Sequence, residues 1–160
     1  MIAASSIHEV AIRLSRAEDH AAAFIALEAV TSERFGHILF TALRFDYDDG
    51  VMTRLYSNRI DVTPVGGTKP IPTGPWADRI ISQRSCYVGR RKEDLKEVFF
   101  DYEPLWAIGC ESVMNVPVVW ANRTIGSINI LGGPSQYDEI TASEMMIFAQ
   151  MSTPLFCCPP

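Results

Sequence analysis

The hydrophobic positions of this chain change their period several times along its length, and each change marks an element. Near the start, Ile7, Val10, Ala11 and Leu14 recur at helical spacing. Ser6 followed by Glu9 fits a capping box, in which each side chain satisfies a free backbone N–H at a helix start. Ser15 and Glu18 repeat that pattern. A second helix is therefore expected from there to about Arg34, with Ala23, Phe24, Leu27 and Val30 inward and Gly36 closing it. One unbroken helix through both segments is the alternative.

The pattern then turns to β. Residues 38–45 and 51–57 are rich in β-formers, and Asp46, Asp48, Asp49 and Gly50 lie between them, which predicts a hairpin. The aspartates lack the spacing and the distal Glu of an EF-hand loop, so they read as a solvated turn rather than a calcium site. Residues 63–75 contain four prolines and three glycines and read as an irregular loop. Pro75 suits the first position of a short helix carrying Trp76, Ile80 and Ile81. A short strand follows at 86–89, then a helical or irregular stretch at 93–106. Two β-rich runs, 110–120 and 123–133, flank Ala121-Asn122 and predict a second hairpin. Thr141 and Glu144 form a third capping box, starting a last helix with Met145, Met146, Phe148, Ala149 and Met151 that ends near Pro154. The order is α-α-β-β-loop-α-β-α-β-β-α, an α+β layout with helices around antiparallel strands.

With 160 residues, 48% of them hydrophobic and 21% charged, the chain is expected to form one domain, with a core over 17–156 preceded by a helical appendage at 1–16. A net charge of -5 argues against a nucleic-acid partner. The apolar runs fall far short of the roughly 18 residues that span a bilayer. The first residues lack the charged start and apolar block of a signal peptide. No membrane and a cytoplasmic location are therefore expected. Cys86, Cys110, Cys157 and Cys158 form no Cys-x-x-Cys pair and lie far in sequence from His8, His20 and His37, so they read as reduced thiols rather than zinc ligands. Cys157 stands fourth from the end, but Cys158 and Pro159 after it are not the aliphatic pair of a prenylation signal.

Three segments carry a resemblance: Ser112-Val113-Met114-Asn115-Val116-Pro117-Val118, then Arg123-Thr124-Ile125-Gly126-Ser127-Ile128-Asn129-Ile130, then Tyr137-Asp138-Glu139 before the last helix. Together with the element order they resemble the GAF domain family of sensor domains. The resemblance implies a central antiparallel sheet of five or six strands. It also implies the first and last helices packed on one face and a pocket roofed by loop and helices on the other. Members bind cyclic nucleotides, bilins, haem or small metabolites, or nothing, and many dimerise through the first and last helices. The cyclic-nucleotide pattern is only partly echoed by Asn122-Arg123 and Asp138-Glu139, and the bilin-attaching cysteine context is not visible. The cofactor is left unassigned.

The second hairpin can be read face by face. A two-residue turn at Ala121-Asn122 pairs Trp120 with Arg123 and Met114 with Asn129, since side chains alternate across a sheet. One face then carries Ser112, Met114, Ser127 and Asn129 among apolar residues. The other, with Asn115, Ile128 and Ile130, is more uniformly apolar and has Gly126, which allows a helix to approach closely. A buried Ser or Asn needs a partner, because leaving it unsatisfied costs about 1–3 kcal/mol; a ligand, a water or a loop backbone can supply it. Six aromatics (Trp76, Tyr87, Phe99, Phe100, Tyr102 and Trp106) lie where the roof would be, as pocket walls or as a second core. The expected ligand-binding set is Trp76, Tyr87, Phe99, Tyr102 and Trp106 with Cys110, Ser112, Met114, Ser127 and Asn129. Arg79, Arg84, Arg90 and Arg91 near the roof can receive an anion, although Arg90-Arg91-Lys92 beside Glu93 and Asp94 reads as a solvated face.

No nucleophile–base pairing and no phosphate loop is legible. Three functions follow. The first is a sensor domain without catalysis of its own, binding a small molecule and forming a homodimer. The second, implied by a subgroup of the resembled family, is a thiol-dependent reductase of the free methionine sulfoxide type, which would use Cys86 and Cys110. The third is a dimerisation module with no ligand.

Overall fold

A computed structural model describes residues 4–158. Residues 1–3 and 159–160, on which the signal-peptide and prenylation readings partly rest, lie outside the described residues.

Two helices open the chain, α1 (Ala4–Ser15) and α2 (His20–Phe35), with a break between them rather than one continuous helix. The cap of α2 is Asp19, not Ser15: its Oδ1 accepts the Ala22 N–H at 2.8 Å. Ser15 instead closes α1, donating to the Ile12 carbonyl at 2.9 Å, and Ser6 lies inside α1. The last long helix, α6 (Glu139–Met151), shows the same shift, because Asp138 caps it by accepting the Thr141 N–H at 2.8 Å. At both sites an aspartate a few residues from the expected box supplies a charged acceptor to the helix's positive end, which sets the boundary.

The strands are β1 (Leu39–Asp46), β2 (Val51–Ser57), β3 (Thr68–Pro70), β4 (Tyr87–Gly89), β5 (Ser112–Trp120) and β6 (Arg123–Gly132). They form one antiparallel sheet in the order β3-β2-β1-β6-β5-β4. β3 falls inside the stretch expected to be irregular. It is three residues long and lies at the sheet edge, where a proline such as Pro70 removes no ladder bond from an inner strand.

One face of the sheet packs against α1, α2 and α6 through Phe24, Leu27, Phe40, Met114, Ile130 and Phe148. The other is covered by α3 (Pro75–Ala77), which continues as a π-helical turn at Asp78–Ser82, and by α4 (Lys92–Val98) and α5 (Tyr102–Ala107). Pro75 opens α3 as expected. A short α7 (Pro154–Cys157) returns to the helical face. No helix among the described residues is long and apolar enough to cross a membrane.

The structure corrects the register of the second hairpin. Ala121 and Asn122 form the turn with φ of 50° and 60°, and Trp120–Arg123 and Val119–Thr124 pair as a two-residue turn requires. The next pair is Val118–Gly126, which leaves Ile125 as the extra residue of a β-bulge. Every later pairing moves by one, so Met114 faces Ile130 and Asn115 faces Asn129. A one-residue shift exchanges the faces. Ser112 and Met114 therefore point to the helical side, while Asn115 joins Ser127 and Asn129 on the other. Gly126 lies against α7 as its small size suggested: a Cβ there would stand 2.4 Å from Phe156 Cδ1 and 2.5 Å from the Leu43 carbonyl oxygen.

Candidate functional site

The corrected register sets a row of polar side chains across the middle strands. Thr41 on β1 pairs with Asn129 on β6, Asn129 with Asn115 on β5, and Asn115 with Tyr87 on β4. The asparagines form a connected network. Asn115 Nδ2 donates to Asn129 Oδ1 at 2.7 Å, Ser127 Oγ donates to the same oxygen at 3.1 Å, and Asn129 Nδ2 donates to Thr41 Oγ1 at 3.2 Å. Trp76 Nε1 closes the network from above, donating to Asn115 Oδ1 at 3.0 Å. Buried amides in so apolar a setting must be paired, and these pair with one another.

Above Asn115 and Asn129 is a cavity of about 420 Å³. Leu43 and Met52 complete its floor on β1 and β2. Its near wall is β3 and the turn after it, with Lys69, Pro70 and Pro72, followed by Trp76 at the start of α3. Its far wall is the end of α4 and the α4–α5 connection, with Val98, Phe99 and Phe100. Phe100 is 81% exposed, so this wall is also the rim. Lys69 crosses between the walls: its Nζ lies 3.2 Å from both Asp101 carboxylate oxygens and 5.3 Å and 5.7 Å from the Phe100 and Phe99 ring centroids. Each asparagine amide also has a second N–H hydrogen, and no hydrogen bond among the described residues uses it. The site is an apolar, aromatic-walled chamber with amide donors below and one cation at its edge.

Of the residues expected from the sequence, Trp76, Phe99 and Asn129 line this cavity, and Ser127 supports Asn129 beside it. Tyr87 flanks the network on β4, packing into the clusters on either side. Tyr102 and Trp106 lie apart from the chamber. Their rings pack together at 4.5 Å, and Trp106 Nε1 donates to the Lys92 carbonyl at 3.1 Å, joining α5 to α4. Cys110 is fully buried among Leu39, Leu95, Leu105, Val113 and Leu131. Ser112 donates to the Gly133 carbonyl at 2.6 Å, and Met114 lies in the helical-face core. The aromatics thus divide into chamber wall and helix packing rather than forming one roof.

The sequence reading missed Asn115 and Lys69. Asn115 was hidden by the bulge. Lys69 had a visible signal, as the single cation between Arg59 and Arg79 within a proline-rich stretch.

The arginines near the roof are engaged elsewhere. Arg79 Nε donates to the Cys86 carbonyl at 2.7 Å, Arg90 pairs with Glu139, and Arg91 lies 3.3 Å from Asp94. Cys86 and Cys110 do not meet. Cys86 packs on the helical face, its Sγ 3.5 Å from the Ala142 carbonyl oxygen, whereas Cys110 is on the opposite face of the sheet. Burial pushes both thiols up, Cys86 to about 11 and Cys110 to about 12, so both are protonated at neutral pH.

Compared by sequence, the chain matches no protein-family model and no curated protein. Compared by structure, it is similar to the GAF domain of a phosphoenolpyruvate-protein phosphotransferase from Coxiella burnetii. That match has a TM-score of 0.76 and 10% identity and covers 96% of this chain and 91% of that one. The corresponding Acinetobacter GAF domain gives a TM-score of 0.74 and 9% identity over the same shares. The chromophore-binding domain of a bacteriophytochrome from R. palustris gives 0.69 and 14% identity, covering 93% of this chain but 59% of that one. The fold is that of a GAF domain, with its six-stranded antiparallel sheet and its helical face.

Proposed function

We propose that this GAF-like domain is a sensor module whose effector is a small molecule held between Asn115, Asn129 and the walls at Trp76 and Phe99. The observation that carries this reading is the pair of buried amides whose remaining N–H hydrogens have no protein acceptor beneath an apolar chamber. A sheet face built only for packing would place Leu or Val there and avoid the cost of burying amides. The chromophore-binding domain of the R. palustris phytochrome, which shares the fold, supports a ligand-holding role without naming the ligand. Signal output through a homodimer is part of the proposal. Ile140 and Ile147 are exposed one above the other on α6, and Ile25 is exposed on α2, which gives the helical layer an apolar outer surface for a second copy. The proposed setting is the cytoplasm, where Cys86 and Cys110 stay reduced.

The reductase alternative requires two thiols that meet and a low-pKa thiolate, and the placement of Cys86 and Cys110 on opposite faces offers neither. Native mass spectrometry of the protein purified from its own cells, followed by thermal unfolding with any co-purified compound, tests the sensor reading. A ligand that binds only the folded state must raise the unfolding temperature, and an Asn129→Leu variant should lose that rise. The same rise in Asn129→Leu, or no compound bound and no rise across a metabolite panel, would overturn it.

A further inference from the structure

The chamber's edge has an unbalanced charge. Arg54 on β2 shares the chamber face of the sheet: it pairs with Leu43 and stands two residues from Met52, both of which line the floor. It is 7% exposed. One guanidinium nitrogen, Nη1, donates to the Pro64 carbonyl at 3.1 Å, while Nε is buried with no partner. Asp101 is the carboxylate whose charge offsets its burial, and Asp101 is also the carboxylate bound by Lys69. Asp101 is thus paired with Lys69, and Arg54 has no ion pair of its own among the described residues, which leaves a positive charge in a partly desolvated place. Such a charge is costly unless a second anion completes it. Asp101 belongs to the α4–α5 connection, so the carboxylate now paired with Lys69 is carried by the segment that forms the chamber's outer wall.

Resting on the reading of this chamber as a ligand site, we propose that its ligand is a planar aromatic anion. Its ring lies against Trp76, Phe99 and the two amides, and its carboxylate-type group binds Lys69 in the place held by Asp101. In the unliganded domain Asp101 acts as the internal stand-in for that group. Ligand entry exchanges one ion pair for another and releases the 98–101 segment from Lys69. The ligand's charge thus moves a piece of backbone at the protein surface, as a sensor requires.

The test is isothermal titration with 2-naphthoate and its neutral amide, 2-naphthamide, against the wild-type chain, Lys69→Met and Asp101→Asn. Lys69→Met keeps the apolar stem and removes the charge. A charge-assisted hydrogen bond lost with the carboxylate predicts binding of the amide about tenfold weaker than of the acid. In Lys69→Met that preference should vanish with the amide's affinity retained. Asp101→Asn, which removes the competitor, should bind the acid several-fold more tightly. Equal affinity for acid and amide in the wild-type chain overturns the anion assignment and leaves the cavity reading standing. No binding of either compound overturns the assignment and counts against the cavity as well. An unchanged acid affinity in Asp101→Asn overturns the stand-in role.

Discussion

Replacing Asn115 by Leu tests the corrected register and the chamber floor together. The side chains have similar shape, so the change removes hydrogen bonds with little change in volume. Two bonds are lost, the one from Trp76 Nε1 at 3.0 Å and the one to Asn129 Oδ1 at 2.7 Å. Asn129 Oδ1 keeps its bond from Ser127, so the indole N–H is the group left without a partner. Each neutral bond is worth about 1 kcal/mol, and orphaning the indole adds on the order of 1 kcal/mol more, giving a loss of about 2–3 kcal/mol. For a chain of this size that corresponds to a fall of roughly 5–10 °C in unfolding temperature. The assay is urea unfolding followed by circular dichroism on the wild type, Asn115→Leu, Trp76→Phe and the double variant. Because the two side chains bond directly, the cycle should show a coupling of about 1 kcal/mol. In the unbulged register Asn115 would point at α6 and could not sense Trp76. A coupling below about 0.3 kcal/mol, or a single-variant cost under about 1 kcal/mol, would refute the floor described here.

Gly126→Ala should destabilise by about 3 kcal/mol in the same assay, because one of the two residues its Cβ would strike is met at a backbone atom, the Leu43 carbonyl oxygen of the paired strand, which has no rotamer to escape into. In reaction with a disulfide reagent at neutral pH, the exposed Cys157 and Cys158 should be modified rapidly, while Cys110 should react only at the rate of unfolding. The two buried thiols should leave stability unchanged between about pH 7 and 8 and lower it as pH rises from the unfolded thiol value of 9.0 towards the folded values of about 11 and 12 for Cys86 and Cys110. In that window the unfolded thiols lose protons that the folded ones keep. A denaturation series from pH 7 to 11 that shows no loss would contradict the burial assigned to both.

The fold was readable because its long elements announce themselves. The apolar spacing of α2, the β-rich runs of both hairpins and the Ala121-Asn122 turn each derive from local chemistry. The site was less readable, for two physical reasons. A bulge is a one-residue choice of register, and the register seen here sets Gly126 against Phe156, thirty residues away in the chain, where local spacing cannot show the contact. The division of the aromatics is partly tertiary: Tyr102 and Trp106 meet as an i,i+4 pair on α5, but it is the packing of α5 on α4, with Trp106 Nε1 on the Lys92 carbonyl, that keeps them out of the chamber. Helix starts were misplaced wherever an aspartate and a Ser/Thr–Glu pair competed for the same free N–H groups.

The bulge at Ile125 has a consequence for how this chain can change length. Within β6, deleting any residue between Gly126 and Asn129 would alter the odd–even parity of the strand and turn the residues beyond it from one layer of the protein to the other. Deleting Ile125 would not, because Thr124 and Gly126 already sit opposite the adjacent Val119 and Val118. The strand therefore has a slack position at which a residue can be gained or lost while Asn129 stays opposite Asn115. A homologous chain one residue shorter in this hairpin would align with an apparent gap and still present the same chamber.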